Sequence, residues 1–542
     1  MTEPLVSIRD VQVHFDSPLG RVHAVKGVDL DLFPGETLAL VGESGAGKSA
    51  FAKSLLQLNE PPFTPRHTRV EGQMSLRLPF EADLINPTPA VLREVRAKAI
   101  GMVFQDSLSA LNPVKRIGQQ IAEALAKSGR VADGDIPAAV LEMVRAIGLP
   151  EPESTVDAYP HQLSGGQCQR VVIAMAAIRH PVALIADEPT TALDVTVQAQ
   201  ILRLLKDLCQ TRQMAMLFIS HDLGVVAEIA DRVAVMRHGK IVELTTRGAL
   251  FAKPRQAYTR TLLASRPGRR GVTPPLAHDT NDQAPVIVAQ GVSYSYGAGL
   301  WGGGRGGLAL DDVSLTVYPG ESHGLVGESG SGKSTFGRVI LGFLAPSLGH
   351  IQTCGRVPDD VRGDDRMEFR RDVQVIYQDS ATALNPRMPL GRSAAEGLEI
   401  RGMPRVEALA KVGRLFDQVG LPRALLTRFP HEVSGGQRQR VCIARALALR
   451  PKLLIADEPV TALDVSVQAQ ILDLFRDLQA ELSLAMVFIS HDLDVVGELC
   501  SRVSVMHRGR IVEHGTAQQV LQDPSTSYAK SLVESIPGQA TA

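Results

Sequence analysis

Two glycine-rich loops that end in Lys-Ser are the segments of this chain best suited to chemistry, and they span residues 42–49 and 327–334. Glycine lets successive backbone N–H groups point inward at the start of a helix, where they bind phosphate oxygens. The lysine reaches the β- and γ-phosphates of a nucleotide, and the serine hydroxyl ligates Mg²⁺. One match could be a glycine turn before a surface lysine, but two matches make chance negligible. The predicted phosphate-binding residues are Gly42, Gly45, Gly47, Lys48 and Ser49, and Gly327, Gly330, Gly332, Lys333, Ser334 and Thr335.

An Asp-Glu pair ends an apolar run in each half of the chain, as Asp187-Glu188 and Asp457-Glu458. An aspartate at such a strand end can hold Mg²⁺, and the glutamate after it can polarise the attacking water. A lone Asp-Glu pair would more often belong to a loop or a helix cap, but here a phosphate loop precedes each pair. The combination predicts hydrolysis of a nucleoside triphosphate, with Glu188 and Glu458 as the catalytic bases.

The whole set of motifs occurs twice in the same order. Ser-Gly-Gly-Gln recurs at residues 164–167 and 434–437, and Ser-His-Asp recurs at 220–222 and 490–492. From Ser164 onward, corresponding residues of the two copies are separated by a constant interval. A repeat of this length is too long for a solenoid, and it predicts two homologous domains fused in one chain.

The composition of the chain excludes several classes of protein. A hydrophobic fraction of 44% and a charged fraction of 21% are ordinary for folded, soluble protein. A net charge of −1 provides no basic surplus for nucleic acid or for an anionic membrane surface. Five scattered cysteines without a Cys-x-x-Cys pair argue against a metal or iron–sulfur site and for a reducing compartment. Because the first residues lack a basic stretch before an apolar run, we expect no secretory signal, and no apolar run is long enough to predict a membrane span.

Strand and helix patterns place the motifs in an α/β fold. An apolar strand at residues 37–41 leads into the first loop, and helical spacing follows at 49–58. Residues 183–186 and 216–219 are continuous apolar runs, as in a parallel sheet covered on both faces. Alternating apolar residues begin each half and predict a small antiparallel sheet. Helical patterns at 117–126 and 138–147 predict an inserted helical subdomain.

The motif pairs and the composition define the predicted domains. The first domain covers residues 1–264 and the second residues 286–542, with helical subdomains at about 106–165 and 379–435. Residues 265–285 between them contain proline and polar residues without periodicity, which predicts an exposed, extended linker. The segment 299–307, rich in glycine and holding the only tryptophan, is interpreted as a flexible hairpin insertion.

These motifs resemble those of the ATP-binding cassette (ABC) family, and the resemblance spans nearly the whole chain. Ser-Gly-Gly-Gln is the most specific mark of that family. The resemblance implies two tandem P-loop NTPase domains, each with a RecA-like core, an antiparallel β subdomain and a helical subdomain. It also implies ATP and Mg²⁺ as cofactors.

The same resemblance assigns further roles to residues at matching positions. Ser-Gly-Gly-Gln lies at a helix N-terminus in the family and caps the γ-phosphate bound to the opposite domain, as helix-terminus electrostatics explain. The implied γ-phosphate contacts are therefore Ser164, Gly166, Ser434 and Gly436; the Mg²⁺-sensing glutamines are Gln105 and Gln378; the Mg²⁺ ligands are Ser49, Gln105, Asp187, Ser334, Gln378 and Asp457; the switch histidines, which we count as catalytic, are His221 and His491; and the aromatics that stack on adenine are Phe15 and Tyr296.

A finer resemblance is to the ATPase subunits of peptide/nickel-type importers, and among them to fused double ATPases of the Yej type. Ala-Leu-Asn-Pro follows each glutamine, both Asp-Glu regions continue as Asp-Val-x-Val-Gln-Ala-Gln-Ile-Leu, and the halves end in segments that begin with Tyr258 and Tyr528. Cys168, where the second copy has Arg438, and Val433, where leucine is usual, depart from the pattern. Neither departure touches a hydrolytic residue, so we expect both sites to hydrolyse ATP.

The resemblance implies a subunit that powers import of a small solute through a separate permease. Head-to-tail closure of the halves would form two composite ATP sites without a homodimer. The implied partners are two integral-membrane permease subunits and, indirectly, an extracytoplasmic solute-binding protein, with no nucleic acid. The implied location is the cytoplasmic face of the inner membrane. Short peptides are the favoured cargo; nickel, glutathione, opines and oligosaccharides remain open.

Three other classes of protein fit this sequence less well. Twin-cassette translation factors carry a long, charged helical linker, whereas this linker is short and rich in proline. DNA-repair and chromosome ATPases carry coiled-coil heptads or zinc cysteines between their motifs. An inactive regulatory pair conflicts with the lysine, aspartate, glutamate and histidine that both copies keep.

Overall fold

A computed structural model describes residues 3–17, 20–59, 68–191, 193–268, 270, 283–296, 308–461 and 463–536. The described chain divides into two compact units, residues 3–264 and residues 265–536. Within these ranges no helix combines the length and apolarity needed to span a bilayer. The segment 299–307, interpreted above as a hairpin insertion, lies outside the described residues.

The core of the first unit is a six-stranded sheet. Its strands are parallel except for one antiparallel edge strand, and all residues of the strand Thr37–Val41 are buried. Strands that are covered on both faces require a continuous apolar sequence. The predicted parallel sheet is therefore confirmed. In spatial order the strands are Lys240–Thr246, Arg232–Arg237, Thr37–Val41, Ala215–Ser220, Ala183–Asp187 and Ile100–Val103.

A separate antiparallel sheet begins the first unit, as the alternating apolar residues predict. Val11 and Val13 on its first strand are fully buried. In spatial order its strands are Gly20–Leu32, Val6–Ser17, Thr68–Leu76 and Ala82–Asp83.

The helices of the first unit cover the core sheet or form the inserted helical region. The pattern at 117–126 is confirmed as the helix Ile117–Ala126, and that at 138–147 as Ile136–Ala146. The other helices are Lys48–Ser54, Pro89–Glu94, Ser107–Ala110, Pro152–Thr155, Gly165–Ala177, Val195–Arg212, Leu223–Ile229, Arg247–Ala252 and Ala257–Ala264.

The second unit repeats this architecture. Its parallel sheet again ends in an antiparallel edge strand, and its antiparallel sheet has three strands. The core strands in spatial order are Val373–Ile376, Leu453–Asp457, Ala485–Ser490, Ser322–Val326, Arg502–His507 and Arg510–Thr516; the antiparallel strands are Leu308–Val317, Ile287–Ser295 and Leu348–Thr353; the helices are Lys333–Ile340, Gly363–Asp372, Ser380–Ala383, Leu390–Ile400, Arg405–Gln418, Gly435–Leu447, Val465–Leu482, Leu493–Leu499, Ala517–Gln522 and Ser527–Glu534.

Two details differ from the sequence-based expectations. The helix after the first loop ends at Ser54, although apolar spacing continues to residue 58. The start of the expected exposed linker is bonded to the second unit, because Gly268 N donates to Glu498 and Arg270 pairs with Asp473 and Glu498. Arg266 is also only 9% exposed. Residues 271–282 of that linker lie outside the described residues.

Candidate functional site

Each glycine-rich loop joins a buried strand to a helix, and sterics require its glycines. Gly42 has φ +152°, and a Cβ there would lie 2.2 Å from the carbonyl oxygen of Met236. Gly47 has φ +103°, and its Cβ would lie 2.4 Å from the carbonyl oxygen of Ala24. Only glycine fits such backbone contacts at positive φ. The strand Thr37–Val41 therefore delivers the loop to the carboxyl edge of the sheet, where open α/β sheets bind ligands.

The loop lysines lie inside their loops. Lys48 is 5% exposed, and its Nζ donates to the carbonyl oxygens of Gly42 at 2.7 Å and Glu43 at 3.0 Å. Lys333 donates in the same way to Gly327 at 2.7 Å and Glu328 at 2.8 Å. Each loop therefore holds a positive charge among backbone groups suited to phosphate.

The serine that follows each lysine bonds the strand-end aspartate. Ser49 Oγ donates to Asp187 Oδ1 at 2.9 Å, and Ser334 Oγ donates to Asp457 Oδ1 at 3.1 Å. Burial raises the pKa of Asp187 above its usual value, against the opposing effects of the Ser49 hydrogen bond and of nearby lysines. Two oxygen donors thus converge where a cation would relieve the cost of a buried carboxylate. This donor set fits Mg²⁺, which takes oxygen ligands and completes its shell with water and phosphate.

The glutamate of each pair is the centre of a hydrogen-bonded group. His221 Nδ1 lies 3.2 Å from Glu188 Oε1, while Gln105 Nε2 and Thr191 Oγ1 donate to Glu188 Oε2 at 2.9 and 3.0 Å. The second unit repeats the group around Glu458, with His491 at 3.2 Å, Gln378 at 2.8 Å and Thr461 at 3.3 Å. Residues far apart in sequence therefore meet at one carboxylate, as expected for side chains at the carboxyl ends of neighbouring parallel strands.

The electrostatics of the glutamate–histidine pair favour charges on both partners. Burial alone would raise the pKa of Glu188, but the hydrogen bond and charge of His221 lower it below its usual value. Burial alone would lower the pKa of His221, but Glu188 raises it above the ordinary histidine value. Glu458 and His491 shift in the same directions for the same reasons. These shifts favour the carboxylate form of each glutamate, which is the form that accepts a proton, and the protonated form of the histidine beside it.

The Ser-Gly-Gly-Gln segments begin long helices. Ser164 Oγ accepts from Gln167 N at 3.3 Å, and the side chain of Gln167 accepts from Ser164 N at 2.8 Å. This reciprocal capping box starts the helix Gly165–Ala177, and Ser434 starts Gly435–Leu447 in the same way. A Cβ at Gly166 would lie 2.5 Å from Val197 Cγ1, which explains the glycine. Ser164 and Ser434 are exposed, so each helix N-terminus is open to an anion.

The two aromatics assigned to adenine lie in different settings. Phe15 is partly buried and packs against the core of its antiparallel sheet. Tyr296 is 47% exposed, with its hydroxyl 3.3 Å from Thr335 Oγ1 at the start of the loop helix. The structure also brings to the site residues that the sequence analysis did not assign to it. These are Thr191 and Thr461 on the glutamates, and the hydroxyls of Tyr258 and Tyr528 on the loops.

Each unit has a phosphate loop, a serine–aspartate pair and a hydrogen-bonded glutamate at the edge of a parallel sheet. Together these features define a P-loop nucleoside triphosphatase, which is present twice in this chain. A family model described as ABC transporter matches residues 25–191 and 310–461, more than half of the chain. The chain belongs to the ABC transporter family. It is an ATPase that uses ATP and Mg²⁺, and its fold is confirmed as tandem ATPase domains.

Two curated relatives align with 98% of this chain. The peptidoglycan transport ATP-binding protein YejF of Agrobacterium fabrum is 44% identical over 544 residues, which cover 96% of that protein. The glutathione import ATP-binding protein GsiA of Salmonella choleraesuis is 42% identical over 560 residues, which cover 89% of that protein. Among solved structures, cbiO1 of Clostridium perfringens, part of the ABC transporter complex cbiONQ, is 28% identical. It aligns with 44% of this chain and 91% of its own, with a TM-score of 0.39.

Proposed function

We propose that this chain is the double ATPase subunit of an importer, which drives a small solute through a separate membrane permease. The observation that carries the proposal is the duplicated group of glutamate, histidine, glutamine and threonine. Both copies keep the hydrogen bonds that a hydrolytic site needs, so the chain is equipped to turn over two ATP molecules. The role in import is supported by relatives of similar length whose names describe import or transport.

In each site the loop glycines and lysine would bind the phosphates of ATP. Ser49, Gln105 and Asp187 would hold Mg²⁺, as would Ser334, Gln378 and Asp457 in the second site. When bound, Mg²⁺ neutralises charge on the β- and γ-phosphates. Tyr296 would stack on adenine beside its loop helix, and Phe15 would have the corresponding role in the first unit.

The hydrolytic step follows from the geometry of the glutamate. A water oxygen attacks the γ-phosphorus as the bond to the β–γ bridging oxygen breaks, which releases ADP and inorganic phosphate. Glu188 accepts the proton that the water loses, and Glu458 does so in the other site. His221 and His491 keep these carboxylates ionised and contact the γ-phosphate.

Each site would be completed by the Ser-Gly-Gly-Gln segment of the other half. Ser434 and Gly436 would cap the γ-phosphate bound at Lys48, and Ser164 and Gly166 would cap the one bound at Lys333. The exposed helix N-termini support this assignment because they favour an anion. ATP would then stabilise the closed form, and hydrolysis would release it.

The permease contact would lie beside Gln105 in the first unit and Gln378 in the second, on the cytoplasmic face of the inner membrane. In the first unit a groove of about 330 Å³ is lined by residues that include Phe104, Asn112 and Glu123. Phe104 is 38% exposed, and the neighbouring Leu108 and Val114 are 57% and 80% exposed. Such apolar exposure fits a helix of a membrane partner. Two permease subunits and an extracytoplasmic solute-binding protein complete the proposed importer.

Short peptides or peptide-derived solutes are the proposed cargo. The names of the two relatives, peptidoglycan transport and glutathione import, both concern molecules that contain a short peptide. Because the permease and the binding protein select the solute, a test of the cargo must include both of these partners.

Affinity purification of the tagged chain from native membranes in mild detergent tests the proposal. We expect two hydrophobic permeases in equal amounts, and cells that carry Glu188→Gln with Glu458→Gln should lose uptake of labelled muropeptide or glutathione. A chain with Glu153→Gln, an exposed glutamate, is the matched control. Co-sedimentation with ribosomes and no membrane partner would overturn the transport proposal and leave the ATPase chemistry intact.

A further inference from the structure

A tyrosine from the C-terminal segment of each unit bonds the phosphate loop of that unit. Tyr258 Oη accepts a hydrogen bond from the backbone N–H of Glu43 at 3.3 Å, across 215 residues of sequence. Tyr528 Oη accepts from the backbone N–H of Glu328 at 3.2 Å, across 200 residues. The same bond is therefore built twice, although the segments around the two tyrosines differ in sequence.

Each tyrosine ring rests on the last residue of a core strand. The guanidinium carbon of Arg237 lies 4.6 Å from the centroid of the Tyr258 ring. In the second unit the ring of His507 lies 4.0 Å from that of Tyr528, centroid to centroid. A cation over an aromatic face and a close contact between two tilted rings are both attractive. The two units use different side chains to hold the tyrosine in the same place.

In each unit, a glutamate on the edge strand of the core sheet bonds the backbone just before the C-terminal helix. Glu243, 7% exposed, accepts from the backbone N–H groups of Arg255 and Gln256 at 2.8 and 3.1 Å. Glu513 accepts from the N–H groups of Ser525 and Thr526 at 2.7 and 2.9 Å. Burial alone would raise the pKa of Glu513, but the Thr526 hydroxyl, which donates to it at 2.6 Å, and these backbone bonds lower the pKa to about 2. The helix that carries each tyrosine is thus anchored to the edge strand of the core sheet.

The loop is held at a second point by the hairpin that follows the same core strand. Gly239 N donates to the carbonyl oxygen of Ala46 at 2.9 Å, and Gly509 N donates to that of Ser331 at 2.9 Å. Each loop is therefore bonded at its second residue by a tyrosine and at its fifth by a glycine. Both bonds use backbone groups of the loop itself, whose shape determines where its phosphate-binding N–H groups point.

We propose that Tyr258 and Tyr528 are positioning residues, whose hydroxyls hold the phosphate loops in the shape that binds ATP. The C-terminal segment of each unit is then part of the nucleotide site and sets its affinity for phosphate. This inference rests on the proposed function of the loops as ATP sites. It adds to that function a contribution from segments that carry no nucleotide motif.

Replacing tyrosine by phenylalanine isolates the hydroxyl, because the ring and its contact with Arg237 or His507 remain. The N–H of Glu43 or Glu328 then loses its partner. The net loss of one neutral hydrogen bond corresponds to roughly a two- to tenfold change in an equilibrium constant. The change should appear in nucleotide affinity, because the hydrolytic glutamates and their partners are untouched.

The experiment compares the full chain with Tyr258→Phe, Tyr528→Phe and the double variant. The Kd for a fluorescent ADP analogue and the KM for ATP should rise roughly two- to tenfold in the double variant, with a much smaller change in kcat. Tyr318→Phe is the control, because Tyr318 is partly buried and lies in the turn before the strand Ser322–Val326. The melting temperature is measured on every variant, and the single variants serve if the double variant does not fold.

Equal Kd and KM in the wild type, the tyrosine variants and the control would overturn the inference. A fall in melting temperature with unchanged Kd would also overturn it, because the hydroxyl would then only stabilise the fold. The proposed function is tested separately by Lys48→Ala with Lys333→Ala. Hydrolysis that survives this double change would overturn the proposed function, whatever the tyrosine variants do.

Discussion

Replacing both catalytic glutamates by glutamine is the sharpest test of the site. Glu188 accepts from His221 through one oxygen and from Gln105 and Thr191 through the other. Glutamine has the same length, and its single amide oxygen can still accept from Gln105 and Thr191. Its NH₂ group then faces His221 Nδ1, which becomes an acceptor on a neutral ring. The substitution therefore removes the base and the charge while it keeps the shape of the site.

The size of the effect follows from what is removed. A positioned general base contributes typically about 10²- to 10⁴-fold to a rate, which corresponds to roughly 3–5 kcal/mol of barrier. Binding of ATP should not weaken, because a negative charge is removed from beside the γ-phosphate. Glu188→Gln with Glu458→Gln should therefore hold ATP in a closed form and release almost no phosphate.

Phosphate release at saturating ATP and retention of labelled ATP on the purified chain measure the two effects separately. Glu153→Gln is the control, since Glu153 pairs with Arg145 on the surface and is 64% exposed. Near wild-type turnover in the double variant would refute the assignment of the base. Loss of ATP binding would refute the argument that the substitution preserves the site.

Three further predictions concern the same sites. Lys48→Ala alone should lower steady-state ATP turnover by much more than half, because we expect hydrolysis at one site to depend on the other. A loss of only half would mean that the two sites work independently. Gly42→Ala should abolish ATP binding at the loop of residues 42–49 and leave the loop of residues 327–334 intact, because the new Cβ would lie 2.2 Å from a carbonyl oxygen; nucleotide titration of the purified variant checks this by the number of sites filled. The pKa of Glu188 is lowered and that of His221 is raised, so their pairing stabilises the fold at mildly acidic pH. This stabilisation is lost as pH rises through the raised pKa of His221, or falls through the lowered pKa of Glu188. Melting temperature against pH should therefore change less in Glu188→Gln than in the wild type; parallel curves would contradict this.

Most of the fold could be predicted because burial on two faces leaves a plain pattern in the sequence. The strand Thr37–Val41 and the helix Ile117–Ala126 have the bounds that their apolar residues indicate. The helix after the first loop was predicted too long for a physical reason. Leu55 and Leu56 are buried and continue the apolar spacing, but the chain leaves the helix at Ser54 and reaches φ +51° at Gln57. Apolar periodicity reports burial, and burial continues here without a helix.

The candidate site could be predicted where its residues have a short motif, and not where long-range packing places them. Lys48 and Ser49 carry their role in local spacing. The tyrosine hydroxyls bond loops that are about two hundred residues away in sequence. No local pattern indicates where the side chain of Tyr258 or Tyr528 lies in the fold. The one available signal was that both halves place a tyrosine at the same point of their C-terminal segments.

Cys168 in the first half and Arg438 at the matching position of the second half show that a fused chain can differ between its two copies of one motif. Arg438 donates to the carbonyl oxygen of Val433 at 2.9 Å, directly before Ser434, whereas Cys168 is fully buried and contacts Pro160 O at 3.5 Å. In an ATPase made of two identical subunits, a mutation beside the Ser-Gly-Gly-Gln segment falls on both ATP sites at once. In this chain it falls on one copy of the segment, and natural selection can keep it even when it would be lethal in both. Each half can therefore change separately from the other.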